Sequence, residues 1–356
     1  MRRQIGGWGS WAIHTPPLDM LRLWHILVLA ARQPSRWNAA KKAGASRRRH
    51  CTRESWRVSL MIGRAFGRRR AQSEKYNFIA FSRDRAYREA NRQLILRAFS
   101  HLPSPFFQVD VASGTGLVSQ EVSDLCQQTG KRGTIIGVDL DPFAVETARE
   151  SIPSTSYCDI GFIQGRAQDM HRLLHGRIPP EGVDYVSMHD AIHEIGGEKD
   201  KRSVFSSIAS ILRPGGIFTY NSAFTTAAME GSAIKWGRWK ARALSILGAK
   251  RDRTIEAIKI HTPEEYREMI ANAGLVIIYE ARRVVELCKD ALGAIAQYPA
   301  FVEGVFGDIV GKEKILFEKK SQALIEALDS LGIAEMPRIW HETMARKMAR
   351  GALASS

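Results

Sequence analysis

Cysteine is scarce. Four residues, Cys51, Cys126, Cys158 and Cys288, stand in a chain of 356. They form no Cys-x-x-Cys pair and no Cys/His set at metal-ligand spacing. That excludes a disulfide framework and a structural zinc site as organising features, and makes a reducing compartment the expected home. Long hydrophobic runs are also missing. LWHILVLAA at 23–31 is about half of the roughly 20 residues needed to span a bilayer. No later stretch reaches that length, so no integral membrane segment is expected. No clean small-residue cleavage site follows it, which argues against a secretory signal. Acidic residues are nearly absent from one region only. Residues 1–70 hold 16 Lys and Arg against Asp19 and Glu54, whereas the other 286 residues hold 36 basic and 35 acidic side chains. The formal net charge of +15 therefore belongs to the first 70 residues, not to the fold, and nucleic acid is not an expected partner.

Basic runs at 47–50 (RRRH) and 67–70 (GRRR) mark that segment, which shows no sustained periodicity. It reads as a basic extension, either disordered or lying upstream of a true start at Met61. An Arg-rich, acid-poor leader also fits a mitochondrial transit peptide, so the expected location is cytoplasmic, or mitochondrial if residues 1–60 are such a peptide. The rest is ordinary globular material, 44% hydrophobic and 25% charged over the whole chain.

From Tyr76 the pattern turns regular. Residues 76–102 read as one helix, with Ala86, Ala90, Leu94 and Ala98 near helical spacing. Strands are expected at 106–113, 134–140, 159–165, 183–190, 217–224 and 275–287. Helices are expected at 117–130, 141–152, 201–212 and 262–274, with a shorter one after Arg166. Gly130 would stop the first of these, Pro142 opens the second, and Thr262 with Pro263 starts the last. Strands alternating with helices of this length build a Rossmann-like α/β fold with a mostly parallel sheet. The segment 226–260 reads as an inserted helical piece. Residues 288–333 read as a helical insertion or cap, and 334–356 as a last strand and tail. The core domain is thus set at 71–287.

One loop carries the first chemical signal. In QVDVASGTGLVS (108–119), Gly114 and Gly116 lie directly between a strand and a helix, where missing side chains let a ligand approach the backbone. Asp139 ends the next strand and can accept hydrogen bonds from both hydroxyls of a ribose. The third glycine of a dinucleotide loop is lacking: Ser119 stands there and Ala112 opens the loop. An acid at Asp110 would repel a pyrophosphate and attract an ammonium group. A ribose, an adenine and a cationic amino-acid tail together describe S-adenosylmethionine.

VDVASGTG (109–116) resembles motif I of the class I S-adenosylmethionine-dependent methyltransferases. GVDLDP (137–142), FIQGRAQDM (162–170), VDYVSMHDAIHE (183–194) and LRPGGIF (212–218) are similar to their following motifs, in order. The likeness covers about residues 76–286 and looks closest to the small-molecule branch that includes ubiquinone and menaquinone methyltransferases. It implies a seven-stranded sheet, flanked by helices, whose last strand is antiparallel. It implies that Asp110, Ala112, Ser113 and the Gly114–Gly116 backbone hold the methionine portion, and Asp139 the ribose. Leu140 would pack on the adenine, and Ala167 and Gln168 would meet its edge. Arg166 stands where relatives often have Asp, which would shift adenine recognition to Gln168 or Asp169.

Methyl transfer mainly needs an aligned nucleophile, with a base only if the acceptor carries a proton near neutrality. His189, Asp190, His193 and Glu194 follow the fourth strand, where the family places the methyl group. His193 is the first choice as base, with His189 and Asp190 as further catalytic candidates and His189 also a cofactor contact. Spacing of four would put both histidines on one helix face, but no third ligand accompanies them and no metal is expected. HDAI (189–192) stands where base and glutamine methyltransferases carry an N/D-P-P-Y tetrad. Met229, Trp236, Trp239, Tyr298, Phe301 and Phe306 either line an apolar acceptor site or pack a cap onto the sheet. The expected function is methyl transfer to a small apolar or aromatic acceptor. The alternatives are an RNA or protein methyltransferase tethered by the basic segment, for which KWGRWKAR (235–242) is suggestive, or a non-catalytic S-adenosylmethionine-binding scaffold. The oligomeric state is not legible.

Overall fold

A computed structural model of the chain describes residues 78–230, 232–252, 254–255, 260–311 and 314–348. The extension assigned to 1–70 and the tail beyond 348 lie outside the described residues. The chain enters through α1 (Ile79–Ser82) and α2 (Arg85–Phe99). The single helix expected over this stretch is two. Asp84 adopts an extended backbone, and its side chain accepts the Tyr87 amide at 3.0 Å, so it caps a new helix rather than continuing the old one.

The alternating series follows: β1 (Phe106–Val111), α3 (Leu117–Thr129), β2 (Gly133–Asp139), α4 (Pro142–Ser151), β3 (Cys158–Gln164), α5 (Met170–Leu173), β4 (Val183–His189), α6 (Glu198–Ile211) and β5 (Leu212–Ser222). Then come α7 (Thr226–Met229), α8 (Ala233–Leu247), α9 (Pro263–Asn272), β6 (Leu275–Cys288), α10 (Lys289–Ile295), α11 (Pro299–Val305), α12 (Phe317–Leu331) and β7 (Glu335–Lys347). The local signals behave as expected. Gly130 ends α3 at φ +73°, Pro142 opens α4, and Thr262 with Glu265 forms a reciprocal capping box on α9. The fifth strand begins earlier than its sequence suggests. RPGG is absorbed into β5 as an irregularity, with Val183 paired to Leu212 and Tyr185 already paired to Ile217.

The seven strands lie in the order β3-β2-β1-β4-β5-β7-β6. The first five are parallel, and β7 runs antiparallel between β5 and β6. This is a Rossmann-like sheet flanked by helices, with α10–α12 inserted between its last two strands. Alternation assigns each face. Val186, Phe218 and Ala345 pack with α5, α6 and α9, while their neighbours Tyr185, Ile217 and Met344 pack with α2 and α3. Among the described residues, no helix is long and apolar enough to cross a membrane.

A separate apolar cluster joins α1, α8 and α10–α12 to the ends of β6 and β7. Most of the aromatic residues named above belong to it. Trp239 is 1% exposed, stacks on Phe301 at 5.9 Å and donates its indole N–H to the Leu324 carbonyl at 2.8 Å. Replacing Trp239 by Ala removes this burial and the hydrogen bond together, and should cost about 3–5 kcal/mol of unfolding free energy in guanidinium titration. A loss below about 1 kcal/mol would show that the inserted helices do not fold with the sheet.

Candidate active site

Strand order reverses at β1. The chain lays β2 and β3 on one side and β4 onward on the other, leaving a crevice at the carboxyl ends of β1 and β4. A cavity of about 380 Å³ occupies it. Its wall includes Asp110, Ala112, Ser113 and Gly114 at the end of β1 and in the loop that follows, Asp139 and Leu140 at the end of β2, Ala167 and Gln168 after β3, and His189 and Asp190 at the end of β4. The structure therefore brings together residues from four separate stretches of chain that the sequence pattern had singled out. Gly116 and His193 are not among the cavity-lining residues.

The loop after β1 is held from below. Asp139 accepts the Gly114 amide on one carboxylate oxygen at 2.7 Å and the Asp141 amide on the other at 2.9 Å. Burial nevertheless raises its pKa. Each oxygen keeps acceptor capacity toward the cavity. Ala112 and Gly114 both take left-handed backbone, at φ +53°, and a Cβ on Gly114 would meet open space. Gly116 is constrained by packing. Its φ is +87°, and a Cβ there would lie 2.3 Å from Ile152 Cδ1 and 3.1 Å from Phe162. It is a packing glycine that lets α3 start against α4 and β3. Leu140 stands 56% exposed at the rim, an uncovered apolar side chain. Asp169 pairs with Arg172 at 3.3 Å and is not part of the wall, whereas Gln168 and Arg166 both line that edge.

On the α2/α3 face of the sheet, polar residues replace apolar ones toward these strand ends. They recur two apart on neighbouring strands: Gln108 and Asp110 on β1, Ser187 and His189 on β4, Thr219 and Asn221 on β5. Asp110 is 1% exposed. It accepts the Ser187 hydroxyl at 2.8 Å on one oxygen and the Ser119 hydroxyl at 2.8 Å on the other. Burial raises its pKa to about 6 against the lowering effect of both serines. Helix α2 is fastened over this stripe by Arg88 and Arg92, which both bind the buried Glu121 of α3. Asn91 of α2 then reaches into the stripe.

His189 is fully engaged. Asn221 accepts the Asp190 amide and donates its own side-chain N–H to Asn91 Oδ1 at 3.0 Å, while Asn91 donates to the Tyr87 carbonyl. Asn91 Oδ1 can therefore only accept, and His189 Nδ1, 3.0 Å away, must carry the proton. His189 Nε2 lies 3.0 Å from Thr219 Oγ1 and accepts its hydroxyl. No lone pair is left for a substrate proton, and burial lowers the pKa to about 3. His189 holds the cavity floor together rather than acting as a base. His193 lies in a 3-10 turn (Ile192–Glu194), not on a helix with His189, so the shared-face spacing does not arise. Its ring packs on Phe224 at 4.2 Å, and Nδ1 is 3.4 Å from Ser222 Oγ. Desolvation, then Arg338 and Lys201, lower its pKa to about 3. Among the described residues no group of three His, Cys, Asp or Glu could hold a metal ion.

Asp190 remains as the titratable candidate. Its φ is +50°, and burial raises its pKa to about 7 despite the Ala223 amide and the Arg338 guanidinium. Arg338 is itself buried between the rings of Phe224 and Trp236, at 4.6 and 4.7 Å.

Residues 108–274 match a protein family model described as a methyltransferase domain, and they include the whole loop-and-carboxylate arrangement just described. This stretch is a methyltransferase domain, and the chain is an S-adenosylmethionine-dependent methyltransferase. Its cofactor is S-adenosylmethionine. The methyltransferase is 27% identical over 177 residues to a protein of Sulfolobus acidocaldarius named "Probable cobalt-precorrin-6B C(15)-methyltransferase (decarboxylating)", covering 49% of this chain and 79% of that one. It is similar to the solved YcgJ protein of Bacillus subtilis, with TM-score 0.45 and 17% identity over 73% of this chain and 99% of that one. It is also similar to a SAM-dependent methyltransferase of Methanosarcina mazei, with TM-score 0.42 and 12% identity over 71% and 97%.

Sequence reasoning passed over Asn91, Thr219, Asn221 and Ser187, which orient the site, and Phe78, Tyr87 and Tyr298, which line it. The first group had a signal in the polar pairs QVD, SMH and TYN; the second had none. In the methyltransferase, the imidazole of His189 should stay neutral, protonated on Nδ1, from pH 8 to pH 5 in nitrogen-15 NMR spectra. Because an unfolded histidine titrates near 6.5, the unfolded chain takes up more protons below that pH. This residue's contribution to stability is thus present above about 6.5 and declines as pH falls toward 3. An imidazole that titrates between pH 6 and 7 would contradict the hydrogen-bond assignment.

Proposed function

We propose that the methyltransferase acts on a small acceptor with an apolar or aromatic body, and that the cavity between β1 and β4 holds both reactants. The observation that carries this reading is the mixed wall of that cavity. Carboxylates, an open glycine and an uncovered leucine line the end under β1–β3, and aromatic rings line the end under α1, α2 and α11. Asp110, Ala112, Ser113 and Gly114 take the methionine portion, Asp139 the ribose hydroxyls, and Leu140, Ala167 and Gln168 the adenine. The buried Ser113 hydroxyl, which has no partner among the described residues, fits a polar ligand atom at that place. We infer that 71–287, with 226–260 as an inserted helical segment, is the catalytic core, that 288–333 is its helical cap, and that 334–356 carries the last strand and tail.

When bound, the cofactor supplies a methyl group on a cationic sulfonium that is already activated toward displacement. The chain's own residues do the rest. Asp110, fixed by two serines, holds a cationic amino group. The wall orients the acceptor and excludes water. Asp190, whose pKa lies near neutrality, takes the acceptor's proton where the acceptor carries one. Among the described residues five carboxylates and one guanidinium, that of Arg166, line the cavity, which disfavours a polyanion such as RNA there.

Two measurements test this. Affinity for S-adenosylhomocysteine should fall about tenfold per pH unit below pH 6, because the ligand's ammonium favours the ionised Asp110, and Asp110→Asn should remove that slope. Calorimetry showing no such slope would remove Asp110 from the role. Incubation with isotopically labelled cofactor and a metabolite extract should place label in small apolar molecules by mass spectrometry. Label confined to RNA or protein would reject the small-acceptor reading.

A further inference from the structure

The acceptor end of the cavity has a chemistry of its own. Beyond Asp110 and Asp139, the carboxylates of Asp190, Glu194 and Asp200 also line it, and no Lys or Arg does at that end among the described residues. Two cations lie nearby but are engaged elsewhere. Lys201 is hydrogen-bonded to the Ile195 carbonyl, and Arg338 is packed between Phe224 and Trp236 behind Asp190.

Three aromatic rings close the same end. Phe78 packs edge-on against Tyr298 at 5.0 Å and against Tyr87 at 5.4 Å, and all three line the cavity. The Tyr298 hydroxyl donates to Glu194 at 2.6 Å, which ties the cap to the turn after β4 and fixes the carboxylate beside the rings. The Tyr87 hydroxyl feels the charges of Asp190, Glu194 and Asp110, so rings and carboxylates share one small volume. Burial and those charges keep Tyr87 a neutral phenol. A carboxylate or phosphate acceptor would be repelled by these carboxylates, and a phenolate would meet no lining cation at this end among the described residues. An ammonium group meets both of its usual protein partners, a carboxylate and aromatic faces.

We propose that the methyl acceptor is a primary or secondary amine that enters as its ammonium form, seated between Glu194 and the rings of Phe78, Tyr87 and Tyr298. This rests on the cavity being the reaction site proposed above, and adds the class of its substrate. Before transfer the ammonium gives one proton to the Asp190 carboxylate. The freed nitrogen lone pair then forms the new N–C bond as the C–S bond breaks. Its electron pair stays on sulfur, so the products are the methylated ammonium and neutral S-adenosylhomocysteine.

The test uses the full chain saturated with S-adenosylhomocysteine. It compares arylalkylamines from benzylamine to 4-phenylbutylamine with the alcohol of matching length by calorimetry. At least one amine should bind about tenfold or more tightly than its alcohol. Glu194→Gln should reduce that preference about tenfold while leaving affinity for the alcohol and for S-adenosylhomocysteine unchanged. A series in which no amine outbinds its alcohol overturns the assignment, as does a Glu194→Gln effect equal on both. Either result leaves the cofactor site standing, because S-adenosylhomocysteine binding is measured in the same experiment. Absence of S-adenosylhomocysteine binding would overturn both readings.

Discussion

The site depends on a buried carboxylate that two serines keep in place. Asp110 lies in the interior of the sheet, where an ionised group is costly unless it is hydrogen-bonded. Ser187 from the adjacent strand and Ser119 from the following helix meet that need from two directions. Those bonds require β1, β4 and α3 to keep one relative position. The loop between β1 and α3, which lines one side of the cavity, inherits that position.

The same logic extends outward along the polar stripe. His189 cannot pair with both Asn91 and Thr219 unless α2 sits at one height over β4 and β5. A histidine that would be read from sequence as a base is thereby a cross-brace. Its neighbour Asp190 is left with strained backbone and a carboxyl that titrates near neutrality. The distribution of roles among adjacent residues follows from how many partners each has, not from residue type. Asp190 has a cation behind it and the cavity in front; His189 has protein on both nitrogens.

The inserted helices add one described residue to the cavity wall. Trp236, Trp239, Phe301 and Phe306 pack α8 and α10–α12 together and onto the end of the sheet. Tyr298 alone of the aromatic residues flagged in the inserted segments turns to the cavity, where it meets Glu194. Aromatic content in an insertion is therefore mostly a packing requirement, since large rings supply the buried area that short helices need.

Local sequence determined a good deal. Alternation and helix punctuation specified six strand positions closely, because each rests on neighbours within a few residues: Gly130, Pro142 and Thr262 act on their own helices. The loop and Asp139 were legible for the same reason, since a strand, a turn and a helix in succession place them at one sheet edge. What tertiary structure alone decided involves partners far apart in the chain. Gly116 is required by Ile152 and Phe162, which a Cβ there would strike. The break between α1 and α2 is by contrast local, a capping aspartate three residues from Tyr87 that periodicity passes over. His189 loses its basic character to Asn91 and Thr219, 98 and 30 residues away. Whether a side chain is free to react depends on which partners reach it, and those distances close only when the sheet assembles.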